Sequence, residues 1–197
     1  MDTKYISELL NDGGIVVIPT DTVYGIVCDA LNIKAVDKVY KLKQRDYSKP
    51  MVILVSSIDM LKKYTLSINK LEEELINRYL PGMMTIILNK NELIPSIVSS
   101  GMNTVGIRIP DDKYLIDIIT KLNRPIVATS CNISNNDVIT DINLLDSSIK
   151  NNVDYVYDGG IVNSQSSTIV RIKDNKVEIL RKGKLASDIE YNYLRKE

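Results

Sequence analysis

The chain has 197 residues, 44% of them apolar, with no run near the ~18 apolar residues of a membrane span, which predicts one soluble, cytoplasmic domain with a sizeable core. Its 25 basic and 25 acidic residues cancel, so no net field draws the chain to nucleic acid or anionic membranes. The absence of histidine excludes Ser-His-Asp and Cys-His catalysis, and the two distant cysteines imply neither a zinc knuckle nor a disulfide framework.

The N-terminal pattern predicts a helix followed by two strands. Apolar residues at positions 5–10 share one helix face, and Gly13 and Gly14 supply a C-cap before the buried strand at residues 15–18. Thr20, Asp21 and Thr22 then precede a second strand-like segment at residues 23–28. These short polar side chains form either a turn or a small polar ligand pocket.

A basic stretch at residues 41–49 holds four cations and one nearby carboxylate. The helical spacing before it and Pro50 after it predict that the cations straddle a helix end and the following loop. Such a stretch is either a solvated helix terminus, where cations are favoured, or a polyphosphate site with several converging donors.

The middle of the chain predicts a strand at residues 51–55, a helix through residues 60–64 and a second helix that Asn69 and Glu72 open as a capping box. Another strand follows at residues 84–88. In residues 103–110, alternation places Thr104, Gly106 and Arg108 on one strand face. An arginine beside glycine leaves room for a ligand carboxylate, although a lone strand arginine is often a surface residue.

The C-terminal half repeats the pattern of strands with polar ends. A helix through residues 114–122 leads to a strand at 126–129, followed by Ser130 and Asn132. Thr140 or Asp141 caps a predicted helix that continues to Ile149, a strand covers residues 153–157, and a hairpin joins residues 170–172 to 177–180. A second cationic loop and a short C-terminal helix follow. Polar residues at several strand ends indicate an α/β sheet that binds a ligand along one edge.

Seven short motifs in this order resemble those of one protein family. They are the Pro-Thr-Asp-Thr-Val-Tyr-Gly of 19–25, Lys43-x-Arg45-x-x-x-Lys49-Pro50, Pro81-Gly82, the Val-Gly-Ile-Arg-Ile-Pro of 105–110, the Ala-Thr-Ser-Cys-Asn-Ile-Ser of 128–134, the Ser-Thr-Ile-Val of 167–170, and the Ile-Leu-Arg of 179–181. The chain is similar to the YrdC/Sua5 family of threonylcarbamoyl-AMP synthases from about residue 14 to residue 184. The match is to the short, single-domain form, without the C-terminal domain of the longer Sua5 type.

The resemblance implies a fold and a reaction. The fold is a single α/β domain, a twisted mixed β-sheet flanked by helices with a concave cationic cleft. The reaction is that of a nucleotidyltransferase, in which L-threonine, bicarbonate and ATP with Mg²⁺ give L-threonylcarbamoyladenylate and pyrophosphate. This is the first step of threonylcarbamoyladenosine formation at position 37 of tRNA, and a downstream threonylcarbamoyl transferase complex takes the product.

The resemblance also implies roles for individual residues. The catalytic cations, which also bind ATP, are Lys43, Arg45 and Lys49. Other ATP contacts fall on Thr104, Ser130, Asn132, Thr140 and Arg181. Threonine contacts fall on Thr22, Arg108, Ser130 and Ser167. No protein side chain is assigned to a metal, since Mg²⁺ arrives on the ATP phosphates. Leu54 departs from some longer relatives, which place a histidine there.

Two alternatives stay open at this stage. A double-stranded RNA or ribosome-assembly binding module would also use a cationic face, although zero net charge counts against it. A carbamoyl-transfer segment like that of hydrogenase maturation proteins would require additional domains. A weak contact to tRNA or double-stranded RNA and the oligomeric state are left undecided.

Overall fold

A nine-stranded mixed sheet with helices on both faces organises the chain, whose residues 1–134, 137–162 and 165–194 are described by a computed structural model. The strands are β1 Val16–Pro19, β2 Tyr24–Asp29, β3 Val52–Leu54, β4 Met84–Asn89, β5 Thr104–Arg108, β6 Ile126–Ser130, β7 Tyr155–Val156, β8 Thr168–Lys173 and β9 Lys176–Arg181. Their order across the sheet is β7-β1-β2-β6-β3-β5-β4-β8-β9. The pairs β1/β7, β3/β5 and β4/β8 are parallel, and the other neighbours are antiparallel.

Helices fill most of the connections between strands. They are α1 Thr3–Asn11, α2 Ile33–Leu42, α3 Ile58–Tyr64, α4 Lys70–Tyr79, α5 Ser96–Ser99, α6 Lys113–Leu122, α7 Ser147–Lys150 and α8 Ala186–Ile189. A 3₁₀-helix covers Ile142–Leu144 and a π-helical turn covers Glu190–Leu194. The described residues include no helix with the length and apolar character that a membrane crossing requires.

Several predicted element ends are confirmed by their local geometry. Gly13 follows Asp12, the C-cap residue of α1, and adopts a left-handed φ of 83°, and Asn69 and Glu72 form both hydrogen bonds of the capping box of α4. Helix α2 ends at Leu42 with Lys43 as its C-cap, so the basic stretch straddles a helix end as predicted. Asp174 and Asn175 both have positive φ, 50° and 58°, in the turn between β8 and β9.

The single helix predicted from Thr140 or Asp141 to Ile149 is wrong. Asp141 caps only the 3₁₀-helix, Leu145 is extended with ψ 124°, and Asp146 caps the separate α7. Each aspartate accepts a hydrogen bond from the amide two residues ahead, at Asn143 and Ser148. These local side-chain bonds offer the backbone an alternative to continuous helix. The strand predicted at residues 153–157 is also shorter, because only Tyr155–Val156 pairs with β1.

The two faces of the sheet bury different helices. One face packs against α2, α3 and α4, and the opposite face packs against α1 and α6 through Ile6, Leu10, Leu115, Ile118 and Ile119. On this second face, Val27, Leu54 and Ile126 lie beneath the helices. The next residues along the same strand faces, Gly25 and Ala128, lie beyond them and line a cavity. The layout of the helices therefore leaves one end of this face open.

Candidate functional site

The open end of the sheet face holds a cavity of about 290 Å³. Segments far apart in the sequence build it: the β1–β2 turn, the loop after α2, and residues of β3, β4, β5, β6, β8 and β9. Of the predicted site residues, the cavity brings together Thr22, Arg45, Arg108, Ser130, Ser167 and Arg181. The remaining lining residues are Thr20, Val23, Tyr24, Gly25, Pro50, Met51, Val52, Leu54, Thr85, Ala128, Thr129, Val138, Ser166 and Ile169.

In two of the three lining arginines, neutral oxygen atoms of the protein hold the Nε and Nη2 edge of the guanidinium group. Arg45 donates from Nε to the Lys49 carbonyl at 3.0 Å and from Nη2 to the Pro50 carbonyl at 2.9 Å. Arg181 donates from Nε and Nη2 to the Ser167 carbonyl and from Nη2 to the Ser167 hydroxyl at 2.9 Å. Neither Nη1 has a hydrogen-bond partner among the described residues, so the outer end of each guanidinium can meet a ligand.

The guanidinium group of Arg108 is also held along its Nε and Nη2 edge, but one of its partners is charged. Its Nε donates to the Gly82 carbonyl at 2.8 Å, and its Nη2 forms an ion pair with Asp21. Asp21 also accepts the Asp111 amide at 3.2 Å. The side chains of Arg108 and Asp21 are only 6% and 11% exposed, so solvent screens this pair weakly. Arg108 thus lines the cavity as a fixed group.

Lys43 lies beneath the cavity and is not among its lining residues. Its ammonium group donates to the Ser130 carbonyl, to the Asn132 carbonyl at 2.7 Å and to Asn132 Oδ1 at 3.1 Å. The Ser130 hydroxyl donates to the same Oδ1 at 2.6 Å. Burial lowers the pKa of Lys43 to about 8, against an ordinary value of 10.5. The lysine therefore pins the turn that carries Ser130.

Hydroxyl groups also line the cavity. Thr85 is fully buried on β4, and its hydroxyl lies 2.9 Å from that of Ser167. Thr20 Oγ1 donates to the Val23 carbonyl and accepts the Thr22 amide, so the predicted turn exists. Because Thr20 and Thr22 also line the cavity, the turn and the pocket are the same feature.

Four other predicted site residues lie outside the cavity lining. Lys49 is exposed on the loop whose carbonyl groups accept hydrogen bonds from Arg45. Asn132 accepts a hydrogen bond from the buried Lys43 and does not line the cavity. Thr104 begins β5 and pairs with Asn89, away from the cavity. The Thr140 carbonyl accepts the Val162 amide at 2.8 Å in the segment that also contributes Val138. Their assigned contacts with ATP stay predictions.

The electrostatics of the cavity are dominated by its guanidinium groups. Burial lowers the pKa of Arg181, and the nearby positive charge of Arg108 lowers it further. Burial raises the pKa of Tyr24, whose hydroxyl donates to the Gly160 carbonyl at 2.7 Å and accepts the Gly159 amide at 3.0 Å. Residues 1–134, 137–162 and 165–194 include no group of three or more acidic or cysteine side chains placed to hold a metal ion.

Sequence reasoning left the ion pair of Asp21 and the site position of Thr85 unassigned. Asp21 was visible as part of a polar cluster at a strand end, but nothing in the sequence pairs it with Arg108, 87 positions away. Thr85 is a polar residue inside the apolar strand β4. That interruption is a signal for a polar site on one face of the sheet.

A family model described as Sua5_yciO_yrdC, telomere recombination, matches residues 8–183. This range contains every residue that lines the cavity.

Two relatives illustrate the similarity in sequence. The chain is 41% identical over 177 residues to a Methanocaldococcus jannaschii protein provisionally named a threonylcarbamoyl-AMP synthase, and the match covers 89% of this chain and 82% of that relative. It is 30% identical over 183 residues to the threonylcarbamoyl-AMP synthase of Pyrococcus abyssi, with 92% of this chain and 54% of the relative covered. The chain thus spans about half the length of the P. abyssi protein.

Solved structures share the fold. The structure of P. abyssi Sua5 complexed with L-threonine has a TM-score of 0.90 and 29% identity, covering 96% of this chain and 56% of that chain. E. coli YciO has a TM-score of 0.82 at 20% identity, covering 92% of this chain and 88% of that chain, a likeness of fold alone. The predicted fold class, a twisted mixed sheet flanked by helices, is confirmed.

Proposed function

Because this chain belongs to the Sua5/YciO/YrdC family, we propose that it is a threonylcarbamoyl-AMP synthase, which converts L-threonine, bicarbonate and ATP into L-threonylcarbamoyladenylate and pyrophosphate. One observation carries the proposal: Arg45, Arg108 and Arg181 come from distant segments and line one cavity, each with one guanidinium edge held by the protein. The names of the relatives and the threonine complex of P. abyssi Sua5 support the same reaction.

The chemistry needs alignment and charge stabilisation more than proton transfer. The amine of threonine combines with bicarbonate to give a carbamate and a molecule of water, so the C–N bond forms as the bond from carbon to a hydroxyl oxygen breaks. A carbamate oxygen then forms a bond to the α-phosphorus of ATP as the bond from that phosphorus to pyrophosphate breaks. Arg45 and Arg181 stabilise the charge that develops on the phosphates, because fixed donors cost no reorganisation during the reaction. A chain without histidine can support such a reaction.

The amino acid binds beside the phosphates in the same cavity. Arg108 receives its carboxylate, since a planar guanidinium matches a carboxylate in a bidentate pair. Thr22 and Ser167 offer hydroxyl groups to the polar atoms of threonine, and Leu54 supplies apolar surface near its β-methyl group. The mixed lining favours threonine over the smaller serine.

Mg²⁺ would reach this site on the phosphate oxygens of ATP, where it supplies further charge neutralisation. The donor set of the protein fits such an arrangement, because Ser130 lines the cavity with a neutral hydroxyl oxygen whose hydrogen is donated to Asn132 Oδ1. Lys43, beneath them, keeps these oxygens in place.

The product has a defined cellular use. Threonylcarbamoyladenylate is an unstable mixed anhydride, so a threonylcarbamoyl transferase complex must take it up for modification of adenosine 37 in tRNA. We place this step in the cytoplasm, with at most a weak contact to tRNA. The alternative of a double-stranded RNA or ribosome-assembly module is not favoured, because the relatives carry enzyme names.

Pyrophosphate release tests the proposal directly. The protein is incubated with ATP, Mg²⁺ and bicarbonate, together with L-threonine, L-serine or no amino acid. We expect release with threonine, much less with serine, and none above background without an amino acid. Equal release in all three mixtures would overturn the proposal.

Two arginines of the β8–β9 hairpin make a matched pair for the same assay. Arg181 lines the cavity, whereas Arg171 pairs with Glu178 at the surface. Arg181→Ala should lower turnover by about 10²-fold, the usual effect of removing one preorganised donor. Arg171→Ala should leave it unchanged.

A further inference from the structure

The three cavity arginines differ in one respect: among the residues that the structure describes, only Arg108 has a carboxylate partner. Arg45 and Arg181 are anchored by carbonyl and hydroxyl oxygens, so their positive charge is not compensated by these partners. Arg108 is anchored by the Gly82 carbonyl and by Asp21. The cavity therefore contains two uncompensated guanidinium groups and one whose charge is already neutralised.

We infer that Asp21 is a positioning residue that fixes the guanidinium of Arg108, so that its Nη1 end receives the carboxylate of the amino-acid substrate. This inference rests on the proposed function and adds a residue to it. Two anchors on the Nε and Nη2 edge hold the guanidinium plane, as a single carbonyl could not. Nη1 has no hydrogen-bond partner among the described residues and remains available for the substrate.

The surroundings of Asp21 indicate that it acts through Arg108 rather than on the substrate. Asp21 does not line the cavity within the described chain, and its Oδ2 atom accepts from both Arg108 and the Asp111 amide. Its Oδ1 atom is buried and forms no hydrogen bond to the residues described. A carboxylate so enclosed is oriented by the chain, and it orients its arginine in turn.

The charge of Asp21 also makes the cavity arginines differ in their preference for the two anionic substrates, ATP and the amino acid. Without a carboxylate partner, Arg108 would attract the triphosphate of ATP as strongly as the other two arginines do. With its charge balanced by Asp21, it retains the directional hydrogen bonds that suit a singly charged carboxylate. The polyanion is then left to Arg45 and Arg181, where the charge is uncompensated.

Binding of L-threonine and of L-threoninol, which lacks the carboxylate, tests this role by calorimetry on the whole chain. Asp21→Ala should weaken L-threonine binding at least about tenfold, or ~1.4 kcal/mol. Binding of L-threoninol should stay within about twofold. If Asp21 had a merely structural role, its loss would lower the affinity for both ligands by the same factor.

Two further variants keep the test decisive. Asp111→Asn removes a neighbouring exposed carboxylate without touching the ion pair and should bind L-threonine like the wild type. Asp21→Asn preserves the side-chain shape; if Asp21→Ala does not fold, the asparagine variant must lose L-threonine affinity relative to L-threoninol. A folded variant at position 21 with unchanged L-threonine affinity, or with equal losses for both ligands, would overturn the inference. Failure of the wild type to bind L-threonine would instead count against the proposed function.

Discussion

Lys43 should give the protein a stability and an activity that change in opposite directions with pH. The residue is 1% exposed, and its ammonium group donates three hydrogen bonds to the turn at Ser130 and Asn132. Burial lowers its pKa from 10.5 to about 8, a cost of ~3 kcal/mol for the charged form. A side chain without this donor would leave the buried carbonyl oxygens of Ser130 and Asn132 without that hydrogen bond, at a cost of ~1–3 kcal/mol each.

The sign of the pH effect on stability follows from proton binding. Between pH 8 and 10.5 the unfolded chain holds the Lys43 proton more tightly than the folded chain does. The contribution of Lys43 to the free energy of unfolding therefore rises with pH, by about 2 kcal/mol from pH 8 to pH 9.5. Over the same range the amine loses a donor and its charge, so the turn loosens and pyrophosphate release should fall.

Lys43→Met isolates both effects. The variant should lose on the order of 3 kcal/mol of stability at pH 7 and about 10²-fold in turnover. Urea unfolding from pH 7 to 9.5 gives the difference between wild type and variant, and Lys38→Met, on the exposed face of α2, serves as control. If the difference in unfolding free energy stays constant with pH, Lys43 does not titrate as the structure indicates. If it grows while the turnover of the wild type does not fall, the turn does not depend on the charged lysine.

Three other predictions concern single positions. Arg45→Ala should lower turnover by about 10²-fold, and Lys49→Ala should do the same if Lys49 binds ATP despite its exposure. Gly183→Ala should lower turnover more than about tenfold, since its Cβ would lie 2.2 Å from the Ser166 carbonyl oxygen and displace the cavity wall. Asn69→Ala should cost ~1 kcal/mol of unfolding free energy without changing turnover, because it removes the cap of α4.

Each of these has a clear contrary result. An effect below about threefold at Lys49 would return it to the solvated helix end considered from the sequence. Wild-type turnover in the Gly183 variant would mean that the backbone at Ser166 yields without disturbing the site. An unchanged urea midpoint for the Asn69 variant would show that packing alone holds the start of α4.

The sequence by itself determined the elements whose signals are local. The capping pair at Asn69, the hairpin of β8 and β9, and the alternation around Gly106 depend on neighbouring residues and were predicted correctly. The prediction of one helix after Thr140 was wrong because two short aspartate caps compete with the helix, and their balance depends on packing.

Only the tertiary structure decided which charged groups meet. Sequence order could suggest that Arg45, Arg108 and Arg181 share a site, but not that each is held along one edge or that Asp21 neutralises one of them. Nor could it place Lys43 beneath the cavity instead of in its wall. Burial and pairing arise from contacts between distant segments, and hydrophobic packing of the sheet faces brings these segments together.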